Sequence, residues 1–376
     1  MTRFTRLALL ALASLALNQP SVAADTPTVS LPANTTTNQP AEKIAPYAAR
    51  FGRSRPIVAV VGENGSTVLA DYVIPYGVLS QSGVADVVSV ATQPGLLKLP
   101  PLQISPDNTV AQFDQRYPEG ADYVFVPAVM KQDDPTLLAW IAAQAGKGAT
   151  MISICNGSQV LARAGLTSGH RATGHWSTYQ SRLDKFPDTQ WVKNTRYVAD
   201  GKIVSSAGIS AALPTSLALV EAIGGTERAD VLAKSLGVAY WGPRHNSDAF
   251  HFKTSDGVGA FTSSVFHARQ DIGVPVAPGI DEIALALTAE AYSATLRAHV
   301  YAVSQSAAPV RTRSGLMVVP DRVAGQGKRL DRVLPEWDAT PSGQVLDKAL
   351  ADIAARYGAT AARFVVLEAE YPWQGL

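Results

Sequence analysis

From Met151 to Leu161 the chain reads Met-Ile-Ser-Ile-Cys-Asn-Gly-Ser-Gln-Val-Leu. An Ile-rich apolar run gives way to a polar pair, then to Gly and Ser, and a helical pattern begins. That order describes a buried strand turning sharply into a helix. The residue at the turn, Cys155, is the only cysteine in the protein. A nucleophile on such a turn stands clear of the sheet. It also lies near a helix N-terminus, where backbone N–H groups and the helix dipole favour thiolate over thiol. On that reading its pKa falls below the ~8.5 of a free cysteine. The other reading is a small buried hydrophobe.

Strand and helix signatures alternate on either side of this elbow. Residues 57–61 form a β-branched run closed by Gly62 and Gly65, as expected of a parallel strand buried on both faces. A helical pattern follows from about Thr67 to Ser82, with Pro75 expected to kink it. Strands are expected over 86–91 and 123–127, and a helix over 137–145. The alternation predicts an α/β fold with a mostly parallel sheet and helices on both faces. Such sheets place their sites at the carboxyl ends of strands, where Cys155 falls.

The N-terminus and the charge balance bound the setting. Arg3 and Arg6 precede an apolar run over 7–17, and Ser21-Val22-Ala23 supplies small residues for cleavage. Residues 1–23 are therefore expected to be a bacterial signal peptide, directing the chain to the periplasm or outside the cell. The run is shorter than the ~20 residues of a membrane span, so no stable membrane anchor is expected. Residues 24–55 read as a linker, richest in Pro, Thr, Asn and Ala up to about 42. Lys plus Arg number 32 and Asp plus Glu 31, so the chain lacks the basic excess that binds nucleic acid. A small-molecule substrate or ligand is the expected partner. One cysteine makes no internal disulfide, and the histidines lack ligand spacing, so no metal and no other cofactor is expected.

Three segments around the elbow carry a family resemblance. They are Asp134-Pro135-Thr136-Leu137-Leu138-Ala139-Trp140-Ile141, the stretch from Ala162-Arg163-Ala164-Gly165-Leu166 to Ala172-Thr173-Gly174-His175-Trp176, and Ser206-Ala207-Gly208-Ile209-Ser210. In order and spacing they resemble the ThiJ/PfpI family, within the class I glutamine amidotransferase-like superfamily. The nearest branch holds isonitrile hydratases and the N-terminal domains of AraC-type regulators. The resemblance covers residues 56–250 and implies a flavodoxin-like sheet with Cys155 as nucleophile. It implies an acid on the first helix, four positions before a proline, and Asp71-Tyr72-Val73-Ile74-Pro75 puts Asp71 there. His175 matches a histidine near the family's site, to polarise the thiol or bind substrate, unless it is simply packed beside Trp176. An oxyanion pocket would draw on the amides of Asn156 and Ala128, with Gly157 at the elbow. Three positions depart from the family: Pro127-Ala128-Val129 replaces a Pro-Gly-Gly type loop, Asn156 stands where the hydratases have Thr, and Pro214 stands where the branch has an acid. Glu63 is a rival acid, read as a solvated loop residue. Tyr240-Trp241-Gly242-Pro243-Arg244-His245 is read as a surface connection, and Trp176 and Tyr179 as packing residues.

Residues 251–376 are expected to form a smaller, non-catalytic α/β domain. Residues 284–303 can be laid on 70–90 as helix then strand, which makes this part a candidate degenerate half-repeat. A helix over 342–357 and a strand over 363–367 are expected to follow, and no second elbow appears. Its open sheet edge and apolar helix faces need cover, either from the first domain or from a second copy in a homo-oligomer. The expected activity is a cofactor-independent, cysteine-dependent hydratase or hydrolase acting on a small electrophile. Glyoxalase- or deglycase-like chemistry is one alternative, and a non-enzymatic ligand-binding or thiol-redox module is the other.

Overall fold

The computed structural model describes residues 42–253, 268–336 and 339–375. The expected signal peptide, and the linker as far as residue 41, lie outside these. Strand β1 (Ile57–Gly62) is the centre of the first lobe and is buried along its whole length. Helix α1 (Leu69–Ser82) returns the chain to β2 (Asp86–Ala91), which pairs parallel with β1. Short strands β3 (Leu97–Leu99), β4 (Leu102–Ser105) and β5 (Asn108–Thr109) precede helix α2 (Val110–Arg116). Then come β6 (Tyr123–Val126), α3 (Pro135–Gly146), β7 (Thr150–Ser153) and α4 (Gly157–Arg163). A two-stranded ladder, β8 (Arg171–Ala172) with β9 (Gln190–Trp191), brackets helix α5 (Tyr179–Lys185). Strands β10 (Tyr197–Asp200) and β11 (Ile203–Ser206) lead to helices α6 (Ala212–Gly224) and α7 (Thr226–Ser235). The seven-stranded sheet has the order β10-β11-β7-β6-β1-β2-β5, parallel except for β10. This is the flavodoxin-like α/β fold that the alternation and the resemblance implied.

Side chains along a strand alternate between faces, and β1 divides the core accordingly. Val58 and Val60 join a cluster with Leu69, Tyr72 and Leu79 of α1, while Ile57, Ala59 and Val61 join Phe113, Leu137 and Trp140 on the other face. Helix α1 runs unbroken through Pro75. Proline has no N–H to give the carbonyl four residues earlier, which here belongs to Asp71. The linker reading stops short for residues 42–55. Glu42 is buried, accepts from Arg171 and takes the Ala199 N–H at 2.9 Å, and Arg53 pairs with Asp122 at 2.9 Å. The Pro/Thr/Asn-rich composition ends near 42, and residues 43–55 bring apolar and Arg side chains that find partners on the first lobe.

The second lobe repeats part of the first. Strand β12 (Gln270–Pro275), helix α8 (Glu282–Ala294) and β13 (Ala298–Ser304) reproduce β1-α1-β2, again with parallel pairing. Strands β14 (Val310–Arg311) and β15 (Met317–Val318) reproduce the β3-β4 hairpin, and β16 (Arg322–Val323) and β17 (Arg332–Val333) stand for β5 and β6. The sheet order β16-β13-β12-β17 matches β5-β2-β1-β6. The chain then omits everything from α3 to β11 and resumes with α9 (Val345–Tyr357) and α10 (Ala359–Ala369). These are joined at Gly358 (φ 86°, ψ 166°) as α6 and α7 are at Gly225 (φ 85°, ψ 164°). Residues 363–367, expected as a strand, lie within α10. Their two valines invited a strand reading, but Ala361, Ala362, Val365, Val366 and Ala369 are buried together, a helical face rather than an alternating one.

The two lobes meet across a pseudo-two-fold axis. Laying β1 on β12 places Leu69 on Glu282, Asp71 on Ala284, Gly77 on Glu290 and Ser105 on Val318. The hairpins pair as Met317 with Ser105 and Val318 with Ile104, each pair the mirror of the other under that correspondence. The helices do the same. A Cβ on Gly77 would lie 2.8 Å from Ile283, and Glu290 reciprocally takes the N–H of Ala70 at 2.7 Å. Reciprocal contacts of this kind define an isologous interface, here within one chain. The main cluster runs without a break through Leu69 and Leu217 to Ile272, Ile283, Val345 and Val365. The first lobe thus covers the apolar faces of the second.

Candidate active site

At the elbow, Cys155 takes φ 56°, a left-handed conformation that costs a non-glycine residue on the order of 1 kcal/mol or more. Its N–H donates to Ala207 O at 2.9 Å, so the turn leans on the end of β11. Gly157 is required by close approach, because a Cβ there would lie 2.0 Å from Val126 O. Its N–H donates to Ile154 O at 2.8 Å. Gly157 therefore builds the elbow, its own N–H turned back onto Ile154.

Asp71 projects from the first turn of α1 and is fully buried. One carboxyl oxygen, Oδ2, accepts the Ala128 N–H at 3.1 Å, and Oδ1 has no hydrogen-bond partner among the described residues. Burial pushes its pKa up to about 8, the Ala128 N–H opposes this, and the Glu368 charge adds to it. At neutral pH the group is a carboxylic acid. This corrects the expected role of Ala128, whose amide secures Asp71 instead of waiting for an oxyanion. The amide of Asn156 does face the Cys155 sulfur. Its side chain accepts from Thr178 Oγ1 at 2.7 Å.

The thiol does not have the depressed pKa that its elbow suggested. Cys155 is 6 % exposed, and burial pushes it well above the usual thiol range. The charges of Asp71, Glu368 and Glu370 push the same way, and the Asn156 amide opposes them. Helix α4 has only seven residues, and its dipole is outweighed by three carboxyl groups in a dry setting.

His175 is placed among the site loops, but both ring nitrogens are engaged elsewhere. Nδ1 shares a proton with Ser177 Oγ at 2.7 Å, and Nε2 faces Glu368 O at 3.2 Å. A carbonyl only accepts, so Nε2 carries the proton and Nδ1 accepts from Ser177. The ring is therefore not the base of the thiol. Glu63 caps its own loop, accepting from Gly65 N at 2.9 Å and Ser66 N at 3.2 Å, as its loop reading had it.

Sequence reasoning missed the groups that come from far along the chain. Glu290 of α8 sits beside Ala70, and burial, then the charges of Asp71 and Glu368, raise its pKa well above the ordinary value. Glu370 is fully buried and pairs with His245 at 2.9 Å. The segment 240–245, read as a surface connection, thus buries its last side chain, with His245 only 4 % exposed. Arg182 is buried as well and donates to His175 O at 2.7 Å and Thr178 Oγ1 at 2.6 Å. A lone acid inside the apolar stretch Ala-Leu-Ala-Leu-Thr-Ala-Glu-Ala-Tyr was the one local signal, and it pointed to Glu290. Among the described residues no group of His, Cys, Asp and Glu is arranged to hold a metal, and no helix is long and apolar enough to cross a membrane.

A parallel α/β sheet with a cysteine on a strained strand-to-helix turn, faced by a buried acid, defines a thiol-centred flavodoxin-like domain. Residues 58–222 match the DJ-1/PfpI family. The chain is 34% identical over 106 residues to the isonitrile hydratase of Pseudomonas putida, a match covering 28% of this chain and 44% of that protein. It is 29% identical over 140 residues to the HTH-type transcriptional regulator CdhR of Pseudomonas aeruginosa, covering 36% and 41%. The chain thus spans less than half the length of both relatives. Among solved structures, Drosophila melanogaster DJ-1beta aligns over 50% of this chain and 100% of its own, with 25% identity and a TM-score of 0.45.

Proposed function

We propose that Cys155 and Asp71 form the reactive pair of a cofactor-independent hydratase acting on a small electrophile of the isonitrile type. The observation that carries this reading is the Ala128 N–H bound to Asp71, with the second carboxyl oxygen of Asp71 unpartnered. Acyl transfer and carbonyl chemistry need fixed donors for a developing oxyanion, and here one of the two expected donors, the Ala128 amide, is already engaged with Asp71. Addition to an isonitrile carbon develops no oxyanion in its first step and needs an acid instead. Asp71, protonated at neutral pH, is that acid. Its proton passes to the terminal carbon as the sulfur bonds to it, and the thiol proton returns to Asp71. The product is a thioimidate, R–N=CH–S–Cys155. Water adds to this carbon, the C–S bond breaks, and the sulfur takes back a proton, releasing R–NH–CHO. The net reaction consumes one isonitrile and one water. A thiol held protonated also argues against a redox-sensing role, because oxidation proceeds through the thiolate. The partial match to an isonitrile hydratase supports the same substrate class.

On this reading the mature chain works outside the cytoplasm, on the strength of residues 1–23, and the intact mass of recovered protein reports cleavage after Ala23. The assay is turnover of isonitriles and, separately, of methylglyoxal, with Cys155→Ala as the control. Formamide release that vanishes in Cys155→Ala is expected. Turnover of methylglyoxal alone transfers the pair to glyoxalase-like chemistry, and Cys155-independent activity overturns the reading.

A further inference from the structure

Glu370 of the second lobe binds three separate segments of the first lobe, one of which receives the Cys155 elbow. The residues after β11 receive the elbow, since Ala207 O accepts the Cys155 N–H. The next residue, Gly208, donates its N–H to Glu370 Oε2 at 2.8 Å. The loop carrying His175 is held by the same oxygen, which takes Trp176 N at 3.1 Å. From the third segment, His245 Nε2 lies 2.9 Å from Glu370 Oε1, and the 207–210 turn adds Ser210 Oγ, which donates to Glu370 O at 2.6 Å. The preceding turn adds Trp176 Nε1 to Leu367 O at 2.8 Å and His175 Nε2 to Glu368 O.

Two further features indicate that this residue is kept for its side chain. Glu370 closes α10 in a left-handed conformation, φ 50°, where helices ordinarily use glycine. Gly208 is the reciprocal accommodation, because a Cβ there would lie 2.5 Å from Glu370 Cβ and 2.9 Å from His175 Cδ2. A backbone cost on one side and a required glycine on the other bring a fully buried carboxylate against the turn that receives the elbow.

We propose that Glu370 is a positioning residue of the Cys155 site, contributed by the second lobe. Its carboxylate clamps the 207–210 turn, the 174–178 loop and His245 together, and so fixes where the sulfur stands relative to Asp71. The half-repeat that has no cysteine of its own thereby completes the site of the half that has one. The catalytic meaning of the clamp rests on the Cys155–Asp71 reading, whereas its geometry does not. Against the upward push of burial, the His245 hydrogen bond and the Trp176 N–H hold Glu370 below its ordinary pKa, so the clamp is an anion. That anion acts on the thiol together with Asp71 and Glu368, while Arg182 is the buried cation near the pair.

The test uses the full chain and two readouts. Thiolate absorbance near 240 nm, with Cys155→Ala subtracted, gives the midpoint of thiol ionisation without needing access to the sulfur. Turnover gives kcat and KM. Glu370→Gln removes the charge at nearly constant shape, so the thiol midpoint is expected to move down. A reacting atom displaced on the order of an ångström loses about 10²-fold, so kcat is expected to fall by about that much with KM little changed. Tyr371→Phe loosens the same segment at its bond to Asp347 (2.9 Å), away from the carboxylate, and is expected to leave the midpoint in place. If Glu370→Gln does not fold cooperatively, Gly208→Ala displaces the carboxylate from the other side and must lower the midpoint too. An unmoved midpoint in the folded variant, or an equal shift in Tyr371→Phe, overturns the proposal. A chain inactive on every electrophile whose midpoint still falls in Glu370→Gln supports the clamp and removes only the hydratase reading.

Discussion

Helices α1 and α8 occupy equivalent places, and their differences show how one copy carries the acid of the proposed site while the other supports it. Where α1 has Asp71 and then Pro75, α8 has Ala284 and Thr288, whose hydroxyl donates to Ala284 O at 2.8 Å. The acid is gone, and the carbonyl that proline leaves without an intrahelical donor is satisfied. Where α1 has Gly77, α8 has Glu290, which crosses the axis to the backbone beside Asp71. The second lobe also lacks any counterpart of β7, the elbow and α4 among its described residues. A repeat can shed its own site and still be held by selection for packing, because its partner's core is exposed without it.

The comparison is broken most severely by removing one side. A chain ending at Lys253 uncovers Leu69, Tyr76 and Leu217 along a core that runs through both lobes. A small domain is stable by only about 5–15 kcal/mol, and so large an apolar face is beyond that margin. The truncated chain is expected to aggregate or lose cooperative unfolding by calorimetry, and a soluble, cooperatively folding product would show that the lobes are independent.

Asp71→Asn sharpens the contrast with Ala284. Loss of general acid–base work typically costs about 10²–10⁴-fold in turnover, and that range is expected in kcat, with Glu63→Gln near wild type. Stability should move the opposite way. The pKa of Asp71 rises from 3.8 unfolded to about 8 folded, so between these values the folded state binds the extra proton. Its contribution therefore declines as pH climbs from about 4 to about 8. Asp71→Asn is expected to gain in thermal midpoint over wild type as pH rises through that window. A pH-independent difference would mean that Asp71 ionises normally.

The smallest effect tests the axis itself. Helix propensity alone makes Gly77→Ala stabilising by about 1 kcal/mol. At this position the new Cβ meets Ile283 at 2.8 Å and Glu282 Oε1 at 2.9 Å. Overpacking typically costs about 1–3 kcal/mol, so net destabilisation is expected in urea unfolding. Stabilisation would mean that the helices slide apart freely, and that the lobe contact is softer than the reciprocal distances imply.

Local sequence determined the elbow and the strands flanking it, because each is written in neighbouring residues, and the acid on α1 came from the family resemblance. An Ile run ending at Cys-Asn-Gly and a β-branched strand closed by glycine both act within a turn or two. The half-repeat was visible for the same reason, as a helix–strand unit whose spacing recurs. Residues 363–367 were misread because two valines suit either a strand or a buried helix face, and only packing chose. What the tertiary structure alone decided is the electrostatics and completion of the site. Burial and three carboxyl groups reversed the expected depression of the thiol pKa. Asp71 took the Ala128 amide from the expected oxyanion pocket. Glu290 and Glu370 reached the Cys155–Asp71 site from the far end of the chain, through a pseudo-two-fold contact that no local pattern encodes. Desolvation and Coulomb interactions depend on what lies within a few ångströms in space, and the sequence distance from Cys155 to Glu370 carries no information about that.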